Sequence, residues 1–559
     1  MQRIEFKTLQ HASSNPKLCA TLEYLKEELC NYCYAHGAGV VVKHEEGHTT
    51  HAPFALLPTP MPRYVYTHLM KLSPLMNLLY DRVARDAAFL RKTLEPSSKV
   101  DPFVRNLLSV HKRLYVDAKP VQQIALSITR SDYMLHYDNA TQNFHPKQVE
   151  MNMISTSFAC LSSHIYNMHR FLLQRHVEKL SAEVPAASTT LSHHPQDGVE
   201  RESKFAAPEG SASAAMGALP IREVELSLES LPPSNNAMHG LADALAEAVN
   251  VYYERFYRPS QTRESRKYHD LYVLMVVQAN ERNAFDQRHL EYELHRRNIP
   301  VMRRSLGELY EFARVDEATK QLYVGDRAIA VVYYRAAYTP NDFSGLENPE
   351  TVPEWIAMER MEASLAIKCP TVAHHLAGTK KVQQELAQPG VTERYLSAEE
   401  ASGIRTLYAG LWGLENDDPA TQSIIKQAIS NPDKFVLKPQ REGGGNNLWG
   451  EDLVRTLQTS DVEGRSAFIL MSKIEPKSYP QAYVRQGKLY ASECLCELGV
   501  YGTMISESSF DHSGAPAGGE RVIRNQTEGT LLRTKPVSSN EGGVNAGYAV
   551  LDTPILYEL

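Results

Sequence analysis

Residues Phe435-Val436-Leu437-Lys438-Pro439-Gln440-Arg441-Glu442-Gly443-Gly444-Gly445-Asn446-Asn447-Leu448-Trp449-Gly450 are the most informative stretch of this 559-residue chain. An apolar run ending in lysine and proline reads as a strand, and the glycines behind it read as a loop. Consecutive glycines let backbone N–H groups approach phosphate oxygens with no Cβ in the way, and Lys438 supplies a point charge beside them. The order is not that of a P-loop. There the lysine follows the glycines, whereas here Lys438 comes before Gly443. A flanking strand, two basic residues and an acid distinguish this loop from a bare surface turn.

A second stretch, Gln148-Val149-Glu150-Met151-Asn152-Met153-Ile154-Ser155-Thr156-Ser157, gains meaning from the first. In a strand, residues two apart share a face, so Glu150 and Asn152 present two oxygen ligands side by side. Hard oxygen ligands suit Mg²⁺ held together with nucleotide phosphates, and Glu442 beside the glycines could complete the set; taken alone, the pair also fits an exposed strand face. Around these stretches the C-terminal third alternates strand-like runs (Phe435 to Pro439, Ala467 to Ile474, Leu489 to Leu498) with a helix near Leu453. The pattern favours an α/β or α+β enzyme.

Composition sets the outer limits. At roughly 150 residues per domain the length allows about three to four structural units. Hydrophobic residues at 43% and charged residues at 22% are ordinary globular usage. With 59 basic and 66 acidic residues the net charge is −7, so no overall positive field exists to hold a nucleic acid. Ala328 to Tyr334 is the longest apolar run and far short of a bilayer span, which needs about 20 residues. The start of the chain, Met1 to Lys7, is followed by no apolar segment of the secretory kind, and a cytoplasmic protein is expected. Seven scattered cysteines suit a reducing compartment. Cys30-Asn31-Tyr32-Cys33 has redox or zinc spacing, but it sits in a helical pattern with Leu22, Leu25 and Leu29 and reads as structural.

Other elements follow from periodicity. Leu79, Val83, Ala87 and Leu90 predict one helix from about Met76 to Leu94. Another helix is expected near Gly240 to Tyr257, and strands at Leu271 to Gln278 and Ala328 to Arg335, the latter buried on both faces. From about Glu183 to Pro233 the sequence turns to Ser, Ala, Pro, Gly and Glu, the composition of a flexible insertion. His193 and His194 within it read as solvent-exposed.

The chain resembles eukaryotic glutathione synthetase, a family of ATP-grasp ligases, over nearly its whole length outside the insertion. The signatures in order are Arg130-Ser131-Asp132-Tyr133-Met134, Glu150 to Ser157, Glu281 to Arg288, Leu376 to Glu385, Lys438 to Gly450, Glu497-Leu498-Gly499, Leu531 to Lys535 and Gly542 to Gly547. The resemblance implies an ATP-grasp fold with a mobile glycine-rich lid and a separate substrate-binding subdomain. It divides the chain into an N-terminal part of the core (1–182), the insertion (183–233), the substrate-binding subdomain (234–375) and the ATP-grasp region with lid and C-terminal substrate loop (376–559). It implies ADP-forming ligation of γ-glutamylcysteine with glycine through an acylphosphate, Mg²⁺ as cofactor and a homodimer.

Residue roles carry over by position. Glu150, Asn152 and Glu442 match the Mg²⁺ ligands. Lys380 and Lys438 match nucleotide-contacting lysines with a catalytic role, and Arg533 the arginine at the reacting centre. ATP contacts match Gly443, Gly444, Gly445, Asn447, Trp449, Met471, Ile474, Glu497, Lys535 and Glu541. Substrate positions match Arg130, Ser155, Ser157, Glu281, Asn283, Gln287, Arg335, Tyr338, Val544 and Asn545. Departures cluster near specificity. Trp449 stands where many relatives have tyrosine, Ser472 where many carry an acid, and Glu541 replaces an aspartate. Val544-Asn545 stands where glycine users have Val-Ala, so glycine is the implied acceptor with β-alanine as the alternative. Two other readings are a nucleotide-binding regulatory protein without turnover, which the intact acids oppose, and a kinase that stops at the phosphorylated substrate.

Overall fold

The computed structural model describes residues 16–42, 47–183, 227–257, 270–440, 445–507 and 520–558. Among the described residues the dominant element is a thirteen-stranded mixed sheet. At its centre the Lys488–Glu507 strand pairs antiparallel with Ile124–Asp138 on one side and Arg521–Pro536 on the other. Asn143–Asn152 folds back beside Ile124–Asp138. Farther out, Arg327–Tyr334 runs parallel to both Leu271–Val276 and Ile367–Cys369. A separate three-stranded antiparallel sheet places Phe468–Ser472 between Leu411–Gly413 and Phe435–Pro439. The α/β expectation is met, and Phe435–Pro439 is a strand with the expected bounds.

Burial on both faces is literal in the outer strands. Val273 and Met275 enter one hydrophobic core while Leu274 and Val276 enter the other. This is the two-residue periodicity of a strand with helices on both sides. Arg327–Tyr334 divides the same way, with a register shift between Ile329 and Val331.

The helix expected from Met76 to Leu94 is two helices, Arg63–Arg85 and Ala87–Val100. Asp86 breaks them with φ −90° and ψ 81°, and its carboxylate accepts the Phe89 N–H at 2.9 Å. That capping bond supplies one of the orphan donors at a helix start. The first helix also begins earlier than expected, running straight through Pro74. Proline leaves the carbonyl four residues back without its usual donor, and the Thr527 hydroxyl donates to that Met70 oxygen at 3.0 Å. The helix expected near Gly240 to Tyr257 is α-helical from Ala237 to Tyr252 and closes in a π turn, Tyr253–Tyr257.

Cys30 and Cys33 lie in the Pro16–Ala35 helix, both buried and unpaired. Burial pushes the Cys30 thiol up to about 11 and the Cys33 thiol higher still, opposite to what a redox pair needs. Among the described residues no helix is long and apolar enough to cross a membrane. Most of the expected insertion, including His193 and His194, lies outside the described residues. Its end is packed, since Leu231 is buried and the Pro232 carbonyl accepts from the Tyr166 hydroxyl at 2.8 Å.

Candidate active site

A cavity of about 400 Å³ opens between the three-stranded sheet and the long strands of the large one. Its floor on the small sheet is apolar. Val436 and Met471 are buried in one cluster, with Trp449 and Ile474 packed against it, a surface suited to a flat ring. Ser472 uses its hydroxyl internally by accepting the Gly410 N–H at 2.9 Å.

Charged groups converge from the opposite wall. Lys438, on the small sheet but 3% exposed, reaches across to donate to the Val149 carbonyl at 2.8 Å. Lys380, at the start of the Lys380–Leu386 helix, lies 3.5 Å from Glu150. Burial alone would raise the Glu150 carboxyl, but Lys380, Lys438, Arg533 and Arg130 together hold it well below the usual carboxylate range. Asn152 gives its amide hydrogens to the Arg130 carbonyl at 3.1 Å and Asp132 Oδ2 at 2.9 Å. Its Oδ1 and the ionised Glu150 are two hard oxygens on one cavity wall, a pair that could hold a divalent cation with phosphate oxygens and water completing the shell. Among the described residues no group of three or more His, Cys, Asp or Glu forms a metal cage by itself. Glu442, the third expected ligand, lies outside the described residues, as do Gly443 and Gly444.

Arg533 reaches over the sheet to Asp132 Oδ2 at 2.8 Å and to Glu497. Burial raises the Glu497 carboxyl, with Arg533 opposing. Lys535 donates to the Asn540 carbonyl at 2.8 Å, and burial lowers its ammonium. Gly445 takes φ +94°, open to glycine at little cost, and donates its N–H to Glu541 Oε2 at 2.8 Å. Asn447 and the Trp449 indole also approach Glu541, at 3.5 and 3.4 Å. Glu541 therefore lines the cavity while tying the loop after Pro536 to the residues behind the glycines.

The expected dipeptide residues form an adjoining cluster joined to the cavity through Arg130. Asn143–Asn152 ends before Ser155, whose φ of +53° turns the chain, so Ser155 and Ser157 lie on a turn rather than the strand. The Ser157 hydroxyl accepts from Arg335 at 2.9 Å, and its carbonyl accepts from Arg130 at 3.2 Å and Tyr501 at 2.5 Å. Glu281 accepts from the Asn283 N–H and from Gln287. Tyr338 accepts from Gln278 at 3.2 Å. Neither amide atom of buried Asn283, nor the Nε of Arg335 or Arg533, has a hydrogen-bond partner. Such orphans are costly unless a ligand completes them. Val544 is buried in the core and Asn545 offers its carbonyl to Arg282 at 3.0 Å; neither borders the cavity, whereas Gly542 and Gly543 do.

Two carboxylates escaped the sequence reading. Asp286 accepts from the N–H groups of Phe158 and Cys160, both at 2.9 Å, and pairs with Arg335 at 3.3 Å. Asp132 stands two residues from Arg130 on the same strand face. That spacing was the available signal.

A family model described as eukaryotic glutathione synthase, ATP binding domain, matches residues 20–202 and 212–556. A glutathione synthetase from Dictyostelium discoideum is 33% identical over 546 residues, 96% of this chain and 99% of that one. The chloroplastic glutathione synthetase of Arabidopsis thaliana is 37% identical, covering 90% of this chain and 78% of its own. That of Homo sapiens is 35% identical over 90% of each. Among solved structures, a glutathione synthetase-like effector of Globodera pallida in apo form superposes with a TM-score of 0.66 at 18% identity, covering 96% and 97% of the two chains, a likeness of fold. The architecture is the ATP-grasp-like α/β arrangement that the sequence implied, and on the match along its length the chain belongs to the eukaryotic glutathione synthase family.

Proposed function

We propose that this chain ligates γ-glutamylcysteine to glycine, converting ATP to ADP and phosphate. The observation that carries the reading is the convergence of Lys380, Lys438, Arg533 and Glu150 on one cavity beside the Arg130–Ser157–Arg335 cluster. A carboxylate is a poor electrophile at neutral pH. Transfer of the γ-phosphoryl group to the cysteinyl carboxylate oxygen gives an acylphosphate, and the glycine nitrogen then attacks the carbonyl carbon. The C–O bond breaks, phosphate leaves with that oxygen, and the amine gives up a proton.

In this scheme Lys380, Lys438 and Lys535 bind the phosphates as point charges, and the Met471, Ile474 and Trp449 surface holds the base. Arg533 stabilises charge developing at the transferred group and the tetrahedral centre. Arg130 and Arg335 orient the dipeptide carboxylate, as guanidinium forks do. Mg²⁺ held by Glu150, Asn152 and Glu442 would neutralise triphosphate charge. Val544 and Asn545 act on acceptor choice through the backbone of the Gly542–Gly543 loop rather than by direct contact. The same family resemblance supports a homodimer working in the cytoplasm.

The test is positional labelling. With ¹⁸O in the cysteinyl carboxylate, one labelled oxygen appears in the released phosphate if the acylphosphate forms; unlabelled phosphate with tripeptide product would exclude that route.

A further inference from the structure

Asp132 does not border the cavity, yet three cavity residues are fastened to it. Its carboxylate has no exposed surface. Oδ1 accepts from Arg130 Nε at 2.6 Å, and Oδ2 accepts from Arg130 Nη2 at 2.8 Å, Asn152 Nδ2 at 2.9 Å and Arg533 Nη2 at 2.8 Å. These partners come from three strands of the large sheet and belong to three parts of the proposed reaction: dipeptide, cation and reacting centre.

The sheet register makes room for this meeting. Asp132 stands opposite Gly499, and Arg533 stands opposite Glu497 on the next strand pair. Glu497 and Gly499 share a face, so Arg533 and Asp132 project from the same side of the sheet and can meet. A Cβ on Gly499 would lie 2.7 Å from both Arg130 Cδ and Asp132 Oδ1, distances that force something to move. The glycine is thus part of the device.

We propose that Asp132 is the shared positioning residue of the ligase site, holding Arg533, Asn152 and Arg130 in one mutual geometry so that the phosphoryl-transfer and dipeptide half-sites are set together. A buried carboxylate accepting four charge-assisted or amide bonds fixes its donors far more tightly than water could. An asparagine of the same shape cannot do so. Its nitrogen would face an N–H donor of Arg130, Arg533 or Asn152, donor against donor, and the arginines would lose the compensating charge. This rests on reading the cavity as the ligase site, a reading that wild-type turnover in the same assay tests separately.

The experiment compares wild type, Asp132→Asn, Arg533→Ala and the double variant in steady-state ligation, with ADP binding and thermal unfolding on the same samples. The expected Asp132→Asn result is a kcat lower by about 100-fold and a KM for γ-glutamylcysteine higher by about tenfold, the sizes typical of lost preorganisation and a displaced guanidinium. ADP affinity should change less than about twofold, because the nucleoside surface is not fastened to Asp132. Arg533→Ala should cost much less in the Asp132→Asn background than in wild type, since the arginine there is already misplaced. If Asp132→Asn does not fold, Gly499→Ala carries the test by pushing the ion pair aside with every charge retained, and it should give the same KM and kcat pattern. A merely structural role would lower stability and the active fraction while leaving KM values and additivity untouched. Either that pattern or kinetics within about twofold of wild type in a folded variant would overturn the proposal.

Discussion

The two walls of the cavity are held in place by different physics. On the large sheet, Arg130, Asp132, Glu497 and Arg533 are locked by buried ion pairs and Asn152 is hydrogen-bonded to the same aspartate, on strands packed against two large hydrophobic cores. On the small sheet, Lys438 and Met471 ride on three short strands over a modest cluster that includes Leu437, Leu453, Leu457 and Leu470. Lys438 to Val149 and Glu541 to Gly445 are bonds that bridge the walls. One wall is therefore preorganised by charge, and the other is carried as a unit by its own small core. Substitutions on the first should act by stranding a charge; on the second, by loosening the piece of structure that carries the residue.

The sharpest break of that contrast is Arg533→Ala. It leaves Glu497 without its ion-pair partner while Asp132 keeps only its pair with Arg130, and ligation should fall by about 10³-fold. Steady-state assays would show it, and a fall of less than about tenfold would remove Arg533 from the reacting centre. Next in size is Leu437→Ala. This residue has no exposed surface, and large-to-small changes at such sites cost about 2–5 kcal/mol. Hydrogen exchange should then accelerate in Phe435–Pro439 and Phe468–Ser472 while Ile124–Asp138 keeps its protection. Uniform acceleration would show that the small sheet has no separate stability.

A pH dependence tests the charge-locked side. Burial pushes the Asp552 carboxyl up to about 7, against the lowering effect of hydrogen bonds from Thr534 and Thr59. The folded protein thus binds a proton that the unfolded chain has released. Stability should fall by about 2 kcal/mol as pH rises from about 5 to about 7, and level off above. Asp552→Asn, neutral at every pH, should flatten this slope in denaturant titrations; an unchanged slope would assign it elsewhere. The smallest effect is expected from deleting residues 185–226, whose composition cannot bury much surface. Activity should stay within about twofold, provided Leu231 is kept, since it is packed in the core.

The contrast also marks what could be read in advance. Phe435 to Pro439 was legible because an apolar run closed by Lys-Pro is a local signal, and Glu150 with Asn152 because period-two spacing is local too. The passage of Arg63–Arg85 through Pro74 was not, since the compensating donor, Thr527, lies more than four hundred residues away in the chain. Asp132 was quoted within its motif but not singled out, because its value comes from Arg533 on another strand and from a glycine, Gly499, that leaves room for the Arg130–Asp132 pair. Ser155 and Ser157 were placed by resemblance, and nothing local announced the left-handed backbone at Ser155. Val544 was placed by resemblance, and its burial belongs to tertiary packing that no spacing reveals.

The measurement that bears most directly on the central claim is ADP release from ATP and Mg²⁺ with γ-glutamylcysteine, compared across glycine, β-alanine, serine and no amine. The account predicts release that depends on both the dipeptide and an amine and is fastest with glycine. No release with any amine, or release equally fast without one, would contradict it.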